Sequence, residues 1–506
     1  MLSPTTHEPP VAQQITREDT LHGDTRRDNY FWLRDKDNPE VTDYLEAENE
    51  YAEGILAHTG AFQKSLYDEM LGRIKETDLS VPFTDNGYAY FFRTEEGKQY
   101  EIYCRKKEAP DSDEEVMLDL NLMAEDRPFM ALGTYTVSDN NHLLAYSIDE
   151  TGFRQYTLFI KDLRSGELLP ERVERVGAVV WAADSRTIFY TVEDEETKRQ
   201  HRLYRHVLGT DKHTLIFEET DELFYVHAYR TRDRSLIMRS SASHTTTEIS
   251  YVRAERPEDE FRLIAPRKQD QEYDAEHRDG RFYLRINDTG RNFRLISVPV
   301  DNPDPANGEE LIPHREEVML EEVELFAGHY AILERKQGIP GIRIVEFDCG
   351  RIHDVAFPEP VFEAYPTVNV EWETSRLRYG YQSLITPSSV FEFDLNTDMS
   401  RLLKQTEVLG GYDQSQYKSE RRFVTAQDGT QVPVSIVCRK GTPRDGSAPL
   451  LLTGYGSYGW AYPVTFNSTR LSLIDRGVTF AVAHIRGGGE MGKTWHDLGR
   501  MSHKMN

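Results

Sequence analysis

Asp85-Asn86-Gly87 runs directly into the strand-like Tyr88-Ala-Tyr-Phe-Phe92, and the same succession of a short polar turn and an apolar strand returns again and again down the chain. Asp139-Asn140-Asn141 precedes Leu143-Leu-Ala-Tyr-Ser147, Asp184-Ser185 precedes Thr187-Ile-Phe-Tyr-Thr191, and Asp233-Arg234-Ser235 precedes Leu236-Ile-Met238. Asp279-Gly280 leads into Arg281-Phe-Tyr-Leu-Arg285, Gly328-His329 into Tyr330-Ala-Ile-Leu333, and Ser375-Arg376 into Leu377-Arg-Tyr-Gly-Tyr381. The seven turns are separated by 54, 45, 49, 46, 49 and 47 residues. A steady period of this length is what a four-stranded propeller blade requires, so the spacing predicts a seven-bladed β-propeller rather than a set of unrelated antiparallel hairpins, the other reading of turn residues before strands.

The sequence changes texture on both sides of the repeat. From Pro39 to Ile74 the apolar residues Val41, Tyr44, Leu45, Ala52, Ile55, Leu56, Phe62, Leu66 and Met70 recur at spacings of three and four with a break at Gly60, which predicts two amphipathic helices behind a polar N-terminal arm. Past Tyr417, Asp428-Gly429 lies between the strand-like Phe423-Val-Thr-Ala426 and Val432-Pro-Val-Ser-Ile-Val437, a hairpin signal. Two continuous apolar runs follow, Pro449-Leu-Leu-Leu-Thr453 and Val478-Thr-Phe-Ala-Val-Ala483, with a mixed segment, Arg470 to Asp475, between them. These are read as strands of a parallel sheet buried on both faces and joined by a crossover helix. The expected domains are a helical segment over 1–77, the propeller over 78–407, and the start of an α/β domain over 408–506.

Bulk properties exclude several classes of function. A chain of 506 residues with 38% hydrophobic and 11% aromatic residues has ample material for more than one core. A formal charge of −26 disfavours nucleic acid and anionic membrane surfaces as partners and keeps a large protein soluble. Cys104, Cys349 and Cys438 are widely spaced and contain no CxxC pair, so neither a disulfide framework nor a zinc site is indicated. No basic leader and no long apolar run is visible, and the expected location is cytoplasmic. No metal or organic cofactor is expected.

Two glycine motifs carry the candidate chemistry. Gly454-Tyr455-Gly456-Ser457-Tyr458-Gly459 satisfies GxGxxG, but Trp460-Ala-Tyr-Pro463 is a poor helix start, and the next strand ends in His484-Ile-Arg486 rather than in an acid that would hold a ribose. Ser457 does not mark a nucleophile elbow, because GxSxG occurs nowhere in residues 1–506. The second motif, Arg486-Gly487-Gly488-Gly489-Glu490, predicts a tight structural loop braced by an Arg486–Glu490 bond.

Leu451-Leu-Thr-Gly-Tyr-Gly-Ser-Tyr-Gly459 and Ala483-His-Ile-Arg-Gly-Gly-Gly-Glu-Met-Gly492 resemble the prolyl oligopeptidase family of serine peptidases. Phe423 to Gly441 and Arg26 to Glu53 resemble its oligopeptidase B branch in particular. The resemblance implies a propeller joined to an α/β-hydrolase domain, with residues 1–77 packing on the hydrolase part. It implies hydrolysis of short peptides after Arg or Lys, the propeller restricting access by large substrates. It also implies that Tyr455 donates its hydroxyl to the oxyanion hole, a role suited to a stiff ring bearing an O–H donor.

Two departures accompany it. Pro463 and Thr465 stand where oligopeptidase B enzymes commonly carry acids that bind a second basic residue. The triad order Ser, Asp, His of this fold places all three beyond Asn506, so the chain is expected to be an N-terminal fragment, inactive alone, of an interrupted peptidase gene. The missing triad also fits a non-catalytic propeller that binds peptides or proteins, or one half of a split peptidase completed by a separate C-terminal chain. His484, His496 and His503 are expected to be surface or loop residues.

Overall fold

The computed structural model describes residues 8–505; the first seven residues of the polar arm and Asn506 lie outside the described residues. Residues up to Arg73 form a unit of their own. In it, strands Arg17–Leu21 and Asp24–Asp28 form a hairpin. Helix Pro39–Leu56 starts where Asn38 accepts a hydrogen bond from the Glu40 N–H at 3.0 Å and Pro39, which has no N–H to satisfy, takes the first helical position. A single 3-10 turn, Ala57–Thr59, leads to helix Gly60–Leu71.

The repeat becomes seven antiparallel sheets, each made of consecutive strands. Blade 1 runs from Asp78 to Asp119, and blades 2 to 7 take their strands from Ala131–Val173, Val176–Glu218, Tyr225–Ala265, Tyr273–Ile312, Val318–Asp354 and Phe362–Gln405. In blades 2 to 7 the recurring turn joins the first strand to the second; in blade 1 it joins Phe83–Asp85 to Tyr88–Thr94.

The polar residues of these turns have a local job. The Asp184 carboxylate accepts from the backbone N–H groups of Arg186 and Thr187 at 2.9 and 2.8 Å, Asp233 accepts from Ser235 N–H at 3.1 Å, and Asn140 accepts from His142 N–H at 3.0 Å. Each side chain substitutes for a backbone partner at the reversal, which is why Asp and Asn recur there. Several of the strands that follow are almost wholly buried: in Leu143–Asp149 every residue after the first is buried. Neighbouring sheets share cores, as where Met238 and Ile249 of blade 4 pack with Phe282, Leu284 and Ile296 of blade 5.

The C-terminal part is a four-stranded sheet. Tyr417–Thr425 and Gln431–Arg439 form the hairpin read from the sequence, turning at Gly429 with φ +87°, and Gln431–Arg439 pairs antiparallel with Thr479–Ala483. Leu450–Gly454 lies at the edge, parallel to Thr479–Ala483. The crossover contains a four-residue helix, Leu471–Ile474, whose Leu471 and Ile474 cover Val437, Phe480 and Val482 on one face of the sheet.

Burial of the apolar runs extends to the middle of the interior strand, Phe480 to Val482, and not to the edge strand. Leu450, Leu451 and Leu452 are 58%, 45% and 57% exposed. The edge strand has a partner on one side only, and the crossover helix covers a single face of the sheet.

Candidate active site

Leu450–Gly454 and Thr479–Ala483 run parallel with Gly454 opposite Ala483, so the loops after them leave the same end of the sheet side by side. The C-terminal ends of parallel strands are where α/β folds place their chemistry. Here the two glycine motifs interlock. A Cβ on Gly487 would strike the Gly456 carbonyl oxygen, one on Gly489 the Gly459 carbonyl oxygen, and one on Gly456 the Ile485 side chain. Gly459 N–H donates to the Gly487 carbonyl at 3.0 Å, and the buried His496 ring meets the same carbonyl through Nδ1 at 2.8 Å. The glycines allow two backbones to pack without side chains between them, with Gly456, Gly459 and Gly487 at φ +62°, +68° and +98°.

Tyr455 stands on this platform, 41% exposed. Its ring meets the Trp460 ring edge-on at 5.3 Å between centroids and the Tyr462 ring at 6.3 Å, while Trp460 and Tyr462 are 5.9 Å apart. The three rings fix one another. Next to them Tyr458 holds a left-handed backbone, φ +58°, unusual for a bulky residue, and is 75% exposed.

The expected Arg486–Glu490 brace is absent. Arg486 bonds instead to Asp428 and, at 3.3 Å, to Thr430 in the hairpin turn. Glu490 points inward, 2% exposed; its carboxylate accepts from Tyr462 N–H at 3.0 Å and lies 3.5 Å from His484 Nδ1. The reversal through Gly487, Gly488 and Gly489 sends the two charges to opposite sides of the loop, and a Cβ on Gly488 would collide with the Glu490 carboxylate. The Thr430 backbone N–H and Arg486 together hold the Asp428 carboxyl down to about 2.

His484 lies in the loop after Thr479–Ala483, as expected, but is buried there; His496 is buried in helix Lys493–Asp497, neither surface nor loop; of the three, only His503 is exposed. His484 Nε2 lies 2.7 Å from the Ser435 hydroxyl, so Ser435, His484 and Glu490 form a buried chain beneath the loop. Ser435 is 1% exposed, which removes it as a nucleophile for any external substrate. His496 Nε2 faces His244 Nε2 of blade 4 at 3.4 Å, and burial, with the facing His496 ring, holds His244 below the usual imidazole value. Sequence reasoning missed this docking. Helix Lys493–Asp497 is pinned to blade 5 by Lys493–Glu272 at 2.7 Å and Arg291–Asp497 at 2.8 Å. A cavity of about 680 Å³ lies between blade 4 and the glycine loops, with Tyr225, His244, Ser457 and Tyr458 in its wall.

The family model described as "Prolyl oligopeptidase, N-terminal beta-propeller domain" matches residues 9–406, and that of "Prolyl oligopeptidase family" matches residues 464–506. The chain belongs to the prolyl oligopeptidase family. Among curated members of this family it is 38% identical to Dipeptidyl aminopeptidase BI of Pseudoxanthomonas mexicana, over 98% of this chain and 72% of that protein. It is 34% identical to Protease 2 of Moraxella lacunata, over 98% of this chain and 73% of that one. Oligopeptidase B from Leishmania major superposes with a TM-score of 0.91 at 29% identity, covering 98% of this chain and 74% of that structure. The β-propeller and the peptidase-type hydrolase fold are therefore those of the serine peptidases of this family. Among the described residues no helix is long and apolar enough to cross a membrane.

Proposed function

We propose that the chain is the propeller and leading hydrolase segment of an oligopeptidase B-type serine peptidase that cleaves short peptides after Arg or Lys, with Tyr455 as a donor of its oxyanion hole. The observation that carries this is the position of Tyr455: first residue after the edge strand, half-exposed, its ring held by Trp460 and Tyr462 and its backbone by interlocked glycines. A hydroxyl on such a support is preorganised for charge that develops on a scissile carbonyl oxygen. Gly454, Gly456 and Gly487 to Gly489 are the platform, and Arg486 and Glu490 anchor it from opposite sides.

No GxSxG occurs in residues 1–506, so we place the triad serine, aspartate and histidine outside these residues. Reading and expressing the coding sequence past the Asn506 codon tests this. An elbow-encoding segment, continuous or as a separate chain, should restore cleavage of an Arg-terminated chromogenic peptide, and the absence of any such segment contradicts the proposal. In that active form Tyr455→Phe should lower turnover by about 100-fold or more; a loss below about threefold removes Tyr455 from the oxyanion hole.

The 38% identity to a dipeptidyl aminopeptidase favours a second reading, release of dipeptides from a free N-terminus. Pro463 and Thr465 offer no carboxylates for a second basic residue, and the Thr465 carbonyl is occupied by the Arg470 guanidinium at 3.0 Å. N-terminally blocked and free substrates of one sequence separate the two: equal cleavage supports the endopeptidase, loss on blocking supports the aminopeptidase.

A further inference from the structure

The propeller is a ring with a seam. Every sheet is built from consecutive strands, so no strand is exchanged between the end of the repeat and its beginning, and blades 7 and 1 meet without a shared sheet. Their junction is held by Lys404–Asp78 at 2.6 Å, by Arg378 donating to the Pro82 carbonyl at 2.6 Å, and by an isolated bridge between Ile74 and Val408. A seam closed by side chains is a weak point in a structure whose other blades follow one another along the chain.

Blade 4 is the blade farthest from the seam in a ring of seven. The end of its strand Tyr225–Arg230 and the turn that follows carry Arg230, Arg232 and Arg234, and all three reach across to other blades. Arg234 pairs with Asp85 of blade 1. Arg230 makes a bidentate pair with Asp139 of blade 2, at 2.8 and 3.0 Å. Arg232 pairs with Glu324 of blade 6 at 3.0 Å and donates to the Asn369 carbonyl of blade 7, its guanidinium 4.5 Å above the Phe326 ring. Asn369 in turn donates to Glu324 at 3.1 Å, which ties blades 6 and 7 to each other as well.

These partners lie at the end of Phe83–Asp85 in blade 1 and near the ends of the first strands of blades 2, 6 and 7, and first strands contact one another directly between blades 2 and 3, 3 and 4, and 5 and 6. Residues from blades 1, 2, 6 and 7 can all meet one turn of blade 4 only across the central opening. The paired groups are between 10% and 38% exposed, so they are drawn out of water more than ordinary surface ion pairs.

We infer that the Arg230, Arg232 and Arg234 fan is a tie across the propeller channel that clamps both flanks of the seam between blades 7 and 1 and bars this mouth of the channel. It does by long-range ion pairs what strand exchange does in a ring closed through a shared sheet. The tie stands independently of the peptidase proposal, and under that proposal it would also keep peptides from entering by this mouth.

Hydrogen exchange on the 506-residue protein tests it. In a variant carrying Arg230→Gln, Arg232→Gln and Arg234→Gln, exchange should rise by about tenfold or more in the strands beside the seam, Phe83–Asp85 and Met399–Gln405. Exchange in the outer strand of blade 3, His213–Glu218, which none of the three arginines reaches, should change less than about twofold. A uniform rise over all blades, or no rise at the seam, overturns the inference. If the triple variant does not fold, a charge exchange gives the same answer: Arg234→Asp alone should loosen blade 1, and Arg234→Asp combined with Asp85→Arg should restore its protection. Failure of the combined variant to do so overturns the inference equally.

Discussion

The propeller and the C-terminal sheet use similar apolar strands and bury them differently. In the propeller each sheet lies between two others, and second strands such as Leu143–Asp149 and Thr187–Glu193 are almost wholly buried. In the C-terminal sheet the face with Phe480 and Val482 is covered, while the opposite face, with Val434, Ile436, Leu450 and Leu452, borders an open groove of about 670 Å³. An apolar run therefore reports that a strand has an apolar face. What covers that face is decided by elements elsewhere in the chain.

The largest effect that separates the two regions should come from their cores. Phe282, fully buried between blades 4 and 5, should cost about 3–5 kcal/mol when replaced by Ala. Leu452→Ala on the open face should stay within about 0.5 kcal/mol, since 57% of that residue already meets water. Comparable losses in chemical denaturation would erase the contrast.

Glu490→Ala should cost about 1–3 kcal/mol, because it leaves the Tyr462 N–H without its acceptor and removes the carboxylate 3.5 Å from His484 Nδ1, and it should loosen the aromatic cluster around Tyr455. Tryptophan fluorescence, to which Trp460 contributes, reads that loosening, and an unchanged spectrum with unchanged stability would separate Glu490 from the Tyr455 platform.

A smaller effect is confined to the propeller. Burial pushes the Glu276 carboxyl up to about 7, the hydrogen bond from the Arg232 N–H only partly offsetting it. A carboxyl raised in the folded state binds its proton more tightly there than when unfolded, so its contribution to stability is present at low pH and is lost as pH rises through about 7. Glu276→Gln should therefore gain stability relative to the parent chain between about pH 5 and pH 8 in thermal melts. A difference independent of pH would mean that Glu276 does not titrate in this window.

The seven-fold repeat was legible because its signal is local: a short turn of Asp, Asn, Gly or Ser stands at a fixed place in every blade, and in blades 2, 3 and 4 an Asp or Asn side chain closes the reversal two or three residues away. The glycine loops were legible as loops for the same reason. Their partners were not. Nothing in Arg486-Gly-Gly-Gly-Glu490 states that the glycine reversal sends Arg486 to a hairpin turn and Glu490 into the interior. Nor does the sequence state that Arg234 meets Asp85, 149 positions earlier, or that His496 meets His244. Those contacts are set by how the blades close and where the C-terminal sheet docks. Tyr455 lay between the two cases: its place after a strand was readable, the aromatic support of its ring only partly so.

The proposal that the nucleophile of this peptidase architecture lies outside residues 1–506 is tested most directly by amide hydrolysis with the purified 506-residue polypeptide. With Arg- and Lys-terminated chromogenic peptides, a protease-free preparation should show no turnover above the buffer rate. Turnover that follows the protein through purification would contradict this reading and would require a nucleophile within residues 1–506.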